Sequence, residues 1–177
     1  MLGVGQAFPR FSLKATISTN PSDFCKIITS EDCQDKWKVY FFWPKDFTFV
    51  CPTEIVEFAN LNSEFNARST QLMGCSTDSE YVHLAWRQSN PELKQLPFPM
   101  LADIKHELCA ALGILDPKEG VAQRATFIVD GNDIIRYVSV NDLQVGRNPS
   151  EVLRVLDALQ TNKLCPCNWQ RGQATLS

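Results

Sequence analysis

Residues 38–65 read KVYFFWPKDFTFVCPTEIVEFANLNSEF, and this stretch decides how the chain folds. Residues 38–43 form an apolar run of strand length, and residues 52–65 repeat apolar side chains near helical spacing. Pro52 suits the first helical position, because the missing N–H of proline would be unpaired there in any case. The order of strand, loop and helix therefore places Cys51 directly before the start of a helix.

The remaining sequence alternates strand-like and helix-like segments, which is typical of a single α/β domain. The turn-forming run at residues 130–133 also predicts a hairpin between two strands. The further predicted strands are residues 71–76, 125–130 and 134–140, and the further predicted helices are residues 79–88, 104–112 and 149–160, with Gly113 as a stop and Asn148 as a cap. This order favours a thioredoxin-like fold, in which helices flank a central mixed β-sheet.

The composition is that of an ordinary globular protein. Of the 177 residues, 44% are hydrophobic and 21% are charged, and the formal net charge is -3. Nucleic acid is therefore not an expected partner. The apolar runs are far shorter than the roughly 20 residues that span a bilayer, and the first residues lack a hydrophobic signal core. We expect a cytoplasmic protein with no membrane partner.

The cysteine count does not fit a static disulfide framework. The chain has seven cysteines, which is an odd number, and in a reducing compartment cysteine indicates catalysis, metal binding or plain burial. Their positions are 25, 33, 51, 75, 109, 165 and 167. The count by itself leaves the three roles open.

Cys51 is the candidate nucleophile because of its place at a helix start. Unpaired backbone N–H groups and the positive end of the helix dipole favour a thiolate over a thiol there. Thr48 could turn its hydroxyl into the same pocket, Pro44 could shield the sulfur, and Glu54 lies on the same helix face. Without a further signal, the ordinary interpretations are a buried cysteine, a turn threonine, a turn proline and a first-turn carboxylate.

Pro44, Thr48 and Cys51 stand at the spacing of the Pro-x-x-x-Thr-x-x-Cys motif. On this motif the chain resembles the two-cysteine peroxiredoxins of the bacterial alkyl hydroperoxide reductase C type. The resemblance runs nearly from end to end, through LPFPMLAD at residues 96–103, RATFIVD at residues 124–130, VGRN at residues 145–148 and LCPCNW at residues 164–169. It implies a thiol-dependent peroxidase of antioxidant defence, which reduces hydrogen peroxide and alkyl hydroperoxides through a sulfenic acid on Cys51.

The resemblance also implies roles for residues around this cysteine. Arg124 would face the sulfur, where a fixed positive charge holds the thiolate and stabilises the developing oxyanion. Glu54 and Arg147 match positions that orient this arginine, and Trp86 matches an aromatic residue of a nearby helix. The implied catalytic set is Pro44, Thr48, Cys51, Arg124 and Cys165, with Glu54, Arg147, Trp86 and Cys167 in supporting roles.

By the same resemblance, Cys165 is the resolving cysteine, which forms a disulfide with Cys51 of another subunit. The implied protein is a homodimer, often assembled into a decamer or similar ring, with residues 1–163 as the peroxiredoxin domain and residues 164–177 as a tail. Cys167 departs from the commoner pattern, and it could take over from Cys165 or pass the disulfide outward. An external thiol or a disulfide reductase would restore both thiols.

No cofactor or metal is expected. His83 and His106 are the only histidines, do not stand at metal-ligand spacing, and are interpreted as helix-surface or packing residues. Burial is predicted for Cys75 and Cys109. Family members that over-oxidise easily carry a Gly-Gly-Leu-Gly insertion and a C-terminal Tyr-Phe helix, which this sequence lacks, so we expect resistance to sulfinic acid formation.

Three other activities fit parts of the pattern. A thiol–disulfide exchange protein could use a Cys-x-Cys tail, and it would reduce disulfides without consuming peroxide. A metal-binding module could use Cys165 and Cys167, although paired Cys-x-x-Cys knuckles are missing. Holdase-like chaperone activity, which the family shows in large assemblies, could coexist with catalysis.

Overall fold

In the computed structural model, which describes residues 1–176, the apolar run that opens the decisive stretch forms a central strand. The strands are β1 (Ser12–Thr16), β2 (Cys25–Thr29), β3 (Trp37–Phe42), β4 (Thr70–Ser76), β5 (Met100–Ala102), β6 (Leu115–Asp116), β7 (Val121–Ala122), β8 (Arg124–Val129) and β9 (Ile135–Asn141). The helices are α1 (Cys51–Asn60), α2 (Asn62–Ala67), α3 (Glu80–Ser89), α4 (Glu107–Leu112) and α5 (Pro149–Gln160).

Seven strands form one mixed sheet in the order β2-β1-β5-β4-β3-β8-β9, and β6 pairs with β7 in a separate small hairpin. β4 is parallel to both β3 and β5, whereas every other neighbouring pair in the large sheet is antiparallel. The predicted hairpin between β8 and β9 and the predicted mixed sheet are therefore confirmed. Apolar clusters cover both faces of β3, which explains its nearly continuous apolar sequence.

The side chains of β3 and the residue after it alternate between two apolar clusters on opposite faces of the sheet. Tyr40 and Phe42 belong to one cluster, which also receives α4. Val39, Phe41 and Trp43 belong to the other, which receives α1, α3 and α5. All five side chains are buried. The loop that follows Trp43 therefore starts from a rigid point in the core.

The predicted helix start next to Cys51 is confirmed, and the helical spacing of residues 52–65 is divided between two helices with a break at Leu61. The carbonyl of Leu61 accepts hydrogen bonds from the N–H groups of Glu64 and Phe65, which form the first turn of α2. Asparagines at positions 60 and 62 flank the break, and asparagine is a weak helix former. Phe65 and Phe58, seven residues apart, pack in the same cluster on either side of the break.

The helix predicted at residues 104–112 starts three residues later than expected. His106 adopts a left-handed backbone conformation, with φ 62°, so the residues before α4 form a turn. The buried carboxylate of Asp103 accepts from the N–H groups of Leu108 and Cys109, at 3.2 and 2.7 Å, and so caps the helix. Gly113 ends it with φ 71°, as predicted.

The other predicted helices are found close to their expected bounds. α5 covers residues 149–160, and the Asn148 side chain accepts from the N–H groups of Ser150 and Glu151 as its cap. α3 starts after Ser79, whose hydroxyl accepts from the N–H of Val82. Within residues 1–176, no helix has both the length and the apolar character needed to cross a bilayer.

Candidate active site

Cys51 is the first residue of α1 and has no exposed surface. Val50 stands at the N-cap without a side-chain cap, and Pro52 follows as the second helical residue. The loop between β3 and α1, residues 44–50, carries the other residues of the motif. The positive end of the helix dipole therefore faces the Cys51 side chain, as the sequence predicts.

Two groups lie within hydrogen-bonding distance of Cys51 Sγ. Thr48 Oγ1 is 3.0 Å away, and Arg124 Nη1 is 3.3 Å away. Thr48 Oγ1 also lies 3.0 Å from the carbonyl oxygen of Lys45. Because a hydroxyl has one hydrogen, it donates to the sulfur or to the carbonyl, but not to both. A thiolate at Cys51 attracts this hydrogen to the sulfur.

Arg124, the first residue of β8, is held from two sides. Its Nε donates to the carbonyl of Leu143 at 2.7 Å, and its Nη1 donates to Glu54 Oε2 at 2.7 Å. Arg147 donates from Nε to Glu54 Oε1 at 2.8 Å and from Nη2 to Glu54 Oε2 at 3.0 Å. Its backbone N–H donates to the same carboxylate at 2.8 Å. Glu54 thus connects both guanidinium groups to the first turn of α1.

The charges of this cluster favour a negative sulfur. The side chains of Arg124, Arg147 and Glu54 are each at most 4% exposed. Two guanidinium charges against one carboxylate leave one positive charge in excess, close to Cys51. Burial makes an unbalanced charge costly. A thiolate at Cys51 balances the cluster.

Pro44 and Trp86 support the loop in different ways. Pro44 is buried directly after Trp43, at the point where the chain leaves the sheet. Trp86, on α3, packs against Phe47 with 5.9 Å between the ring centroids. Trp86 therefore contacts the motif loop, whereas the shielding of the sulfur by Pro44 stays a prediction.

The sequence analysis missed a buried polar network behind the loop. Asp46 Oδ1 accepts from Trp43 Nε1 at 2.7 Å, and Asp46 Oδ2 lies 2.6 Å from His83 Nδ1. His83 Nε2 lies 3.1 Å from the carbonyl oxygen of Leu101. Burial raises the pKa of Asp46 above its ordinary value, while the bond to His83 acts in the opposite direction. His83 is fully buried, which confirms the predicted packing role and excludes the alternative position on the helix surface.

Cys165 and Cys167 lie in a different part of the molecule, beyond α5. Cys165 Sγ is 3.4 Å from Thr161 Oγ1 and 3.7 Å from the carbonyl oxygen of Ala158. Cys165 is half-buried and Cys167 is exposed, and neither forms a disulfide. Both line a cleft of about 650 Å³ beside α5. The structure therefore does not bring Cys165 together with Cys51 within one chain.

Trp169 fastens the tail to α5. Arg154, on that helix, donates from Nη1 to the carbonyl of Trp169 at 2.9 Å, and the indole ring of Trp169 is buried. Glu151 orients Arg154 through two bonds of 2.6 and 2.7 Å. The tail is thus packed against the domain that precedes it.

The other cysteines are not arranged for catalysis. Cys75 and Cys109 are fully buried, as predicted, and a hydrogen bond with Cys75 together with burial raises the pKa of Cys109. Cys25 and Cys33 are half-buried, and burial raises the pKa of Cys33. Within residues 1–176, no cluster of three or more His, Cys, Asp or Glu side chains is placed to hold a metal ion.

Comparison with known proteins agrees with this architecture. The fold is the thioredoxin-like fold of peroxiredoxins: the reduced 2-Cys peroxiredoxin of Plasmodium vivax superposes with a TM-score of 0.91 at 31% identity, over 99% of this chain and 93% of that chain. The AhpC/TSA family model matches residues 4–138. The chain belongs to the AhpC/TSA family.

Individual relatives cover nearly the whole chain. The alkyl hydroperoxide reductase C of Mycolicibacterium smegmatis is 49% identical over 100% of this chain and 94% of its own length. The thioredoxin peroxidase of Echinococcus granulosus is 42% identical over 97% of this chain and 91% of its own length. The structure of Mycobacterium bovis AhpC has a TM-score of 0.88 at 52% identity, over 96% of this chain and 99% of that chain.

Proposed function

We propose that the protein is a thiol-dependent peroxidase, which reduces hydrogen peroxide and alkyl hydroperoxides with Cys51 as the attacking group. The observation that carries the proposal is the position of Cys51 Sγ between the Thr48 hydroxyl, at 3.0 Å, and the Arg124 guanidinium, at 3.3 Å. Relatives named alkyl hydroperoxide reductase C and thioredoxin peroxidase support the same activity.

In the first step, the Cys51 thiolate attacks one peroxide oxygen, so that an S–O bond forms and the O–O bond breaks. The proton of the attacked oxygen passes to the departing oxygen, which leaves as water or an alcohol. Sulfur loses two electrons and the peroxide gains them. The sulfenate takes a proton from solvent to become a sulfenic acid. Arg124 stabilises the negative charge that develops on the departing oxygen, and Thr48 hydrogen-bonds the peroxide.

In the second step, the Cys165 thiol attacks the sulfenic acid of Cys51 in another subunit, forming a disulfide and releasing water. Cα atoms joined by a disulfide lie within about 7 Å of each other. The start of α1 and the tail must therefore both open first. Cys167, exposed and two residues further on, is placed to exchange with the disulfide or to replace Cys165.

The electron donor and the oligomeric state are also proposals. An external thiol or disulfide reductase returns both cysteines to thiols, each donor thiol pair supplying two electrons and two protons. The subunit pairs as a homodimer, which assembles into a decamer or similar ring. The cytoplasmic location and the resistance to sulfinic acid formation stay predictions.

Substitution of the two cysteines tests the proposed function. The wild type, Cys51→Ser and Cys165→Ser are mixed with hydrogen peroxide and dithiothreitol, and peroxide loss is followed with time. We expect Cys51→Ser to lose activity to the background rate, because serine is not ionised at neutral pH. Cys165→Ser is also expected to consume peroxide. When it is treated with one equivalent of hydrogen peroxide without dithiothreitol, a disulfide-linked dimer on a non-reducing gel would show that Cys167 replaces Cys165.

Two results would change the assignment. Full peroxide consumption by Cys51→Ser would show that another residue attacks the peroxide. Rapid reduction of insulin disulfides, without loss of peroxide, would instead identify a thiol–disulfide exchange protein. Cys75→Ser is the matched control, because that thiol is buried and lies outside the proposed mechanism.

A further inference from the structure

α3 holds the active-site loop at two consecutive residues. His83 binds the carboxylate of Asp46, and Trp86, three residues further along the same helix, packs on the ring of Phe47. Residues i and i+3 of a helix lie on one face, so a single face of α3 makes both attachments. Phe47 has a positive φ of 57° and is 56% exposed. The Asp46 N–H also donates to Asp78 Oδ2 at 2.9 Å, and Lys45 pairs with Glu119, so the contacts with α3 are the side-chain part of what positions the loop.

The hydrogen atoms of the Asp46–His83 pair follow from its neighbours. His83 Nε2 faces a carbonyl oxygen, which only accepts, so Nε2 carries a hydrogen. One further proton lies between His83 Nδ1 and Asp46 Oδ2, which are 2.6 Å apart. With Trp43 Nε1 donating to the other carboxylate oxygen, every polar atom of the pair is satisfied. Fully satisfied buried networks are rigid, and losing one partner is costly.

The helix that provides these contacts is itself fixed to the sheet. Arg87 donates from Nη1 to the carbonyl of Thr16 in β1, at 3.1 Å. The Thr16 hydroxyl donates to the carbonyl of Glu80 at 2.8 Å, and the Glu80 carboxylate accepts from Lys14 at 2.7 Å. α3 is therefore a fixed support, and the loop is the part that moves when its contacts break.

We propose that the hydrogen bond between Asp46 and His83 is the positioning element that sets how often the Cys51 loop opens. The proposal rests on the function proposed above, because opening is the step that lets Cys51 reach the resolving thiol. Asp46 lies two residues before Thr48, so release of its carboxylate also releases the hydroxyl that contacts the sulfur.

Two reactions compete for the Cys51 sulfenic acid, and the loop decides between them. In the closed loop, the sulfenate attacks a second peroxide and becomes a sulfinate, with an alcohol or water leaving. In the open loop, Cys165 captures the sulfenic acid and water leaves. A loop that opens more often favours the disulfide. Sulfinylation then requires more peroxide.

Asp46→Asn and Asp46→Ala separate the hydrogen bonds from the rest of the side chain. Asparagine keeps the Trp43 bond through its oxygen and donates through its nitrogen to His83 Nδ1, whereas alanine keeps neither. Each variant turns over hydrogen peroxide with dithiothreitol, and mass spectrometry measures the peroxide concentration at which half of Cys51 is sulfinylated. We expect this concentration to rise roughly tenfold or more in Asp46→Ala and to stay within about twofold of wild type in Asp46→Asn.

The first step gives a second readout. The rate constant of peroxide consumption falls only as far as the closed fraction falls, so we expect it to change less than the sulfinylation threshold. Phe47→Ala, which removes the ring contact with Trp86 from an exposed position, is expected to shift the threshold in the same direction, by a smaller factor. If Asp46→Ala does not fold, Phe47→Ala still tests whether loss of a contact with α3 raises the sulfinylation threshold.

Asp133→Ala is the control for a general loss of stability. Asp133 pairs with the buried Lys38, at the opposite end of β3 from the loop. We expect it to lower stability and leave the sulfinylation threshold unchanged. The proposal is overturned if folded Asp46→Ala and Phe47→Ala both keep the wild-type threshold. It is also overturned if Asp46→Asn shifts the threshold as far as Asp46→Ala does, or if Asp133→Ala shifts it as far as Asp46→Ala does. None of these results bears on the peroxide consumption of Cys51→Ser, so this proposal can fail while the proposed peroxidase activity stands.

Discussion

Glu54 connects the two arginines of the active site to the helix that carries Cys51. Its two carboxylate oxygens accept four hydrogen bonds from Arg124 and Arg147. A neutral amide at this position cannot accept all four and turns an N–H group toward a guanidinium. The geometry of Arg124, and through it the environment of the sulfur, therefore depends on this one carboxylate.

Glu54→Gln is expected to reduce both stability and activity. Removing one partner from a buried ion pair costs about 3–5 kcal/mol of unfolding free energy. Displacement of Arg124 is expected to lower the rate constant for hydrogen peroxide by roughly tenfold to a hundredfold. Urea unfolding and stopped-flow kinetics measure the two effects. Glu57→Gln, on the same helix, is the control and should change stability by less than about 0.5 kcal/mol. Equal effects of the two substitutions would contradict this role for Glu54.

At the residue scale, the sequence identified the groups that touch the sulfur but missed those that hold the loop. Cys51, Thr48 and Arg124 lie together, as the motif and the resemblance imply. Asp46 stands inside the same motif, yet its partner His83 is 37 residues away, and only the packing of α3 brings the two together. The one available signal was the spacing of His83 and Trp86, which places both on one helix face.

At the element scale, Gly74 shows how closely β4 packs against β3. A Cβ atom on Gly74 would lie 2.7 Å from Cζ3 of Trp43 and 3.0 Å from Cζ of Phe41. Both aromatic side chains are fully buried, so neither ring can move away without disturbing the core. The two rings lie directly over the Gly74 backbone, and this placement requires glycine at this position.

Gly74→Ala is expected to lower the unfolding free energy by about 1–3 kcal/mol, because it overpacks the core. For a chain of this length, that corresponds to a decrease in Tm of roughly 2–12 °C. Differential scanning calorimetry measures the change. Gly3→Ala is the matched control, since a Cβ at Gly3 meets nothing closer than 3.9 Å. A Tm of Gly74→Ala within 1 °C of wild type would show that the rings rearrange freely.

The elements that the sequence predicted are those with a strong pattern of their own. β3 has a continuous apolar run, and α5 has an asparagine cap and an apolar stripe. The missed strands are short or lie toward the edge of the sheet: β5 has three residues and takes its strand conformation from β1 and β4 on either side. The break between α1 and α2 at Leu61 leaves the apolar spacing on both sides intact, so periodicity alone does not reveal it.

At the scale of the whole molecule, the tail lies along α5. Its contacts include the bonds of Cys165 to the end of α5, the bond from Arg154 to Trp169, and an ion pair of 3.9 Å between Arg171 and Asp157. A terminal segment that pairs with no strand of the sheet opens locally at a lower free energy than the core of a domain. Residues 1–163 are therefore proposed to fold without the tail.

Deletion of residues 164–177 tests this division. We expect the shortened chain to keep its cooperative unfolding, with a Tm within roughly 4 °C of the full chain, since about 1 kcal/mol of stability changes Tm by 2–4 °C at this size. With one equivalent of hydrogen peroxide, it should still oxidise Cys51 but form no covalent dimer on a non-reducing gel. Cys165→Ser in the full-length chain is the control. Loss of cooperative unfolding would show that the tail is part of the domain.

Trp169 also gives the tail an optical signal of its own. The indole is 4% exposed while Arg154 holds its carbonyl, and it lies four residues from Cys165. When the tail leaves α5 to deliver that thiol, the ring passes from a nonpolar interior into water. Its fluorescence then shifts to longer wavelength, and because the chain has four tryptophans, the difference in emission between the full chain and Trp169→Phe records the departure of the tail in real time.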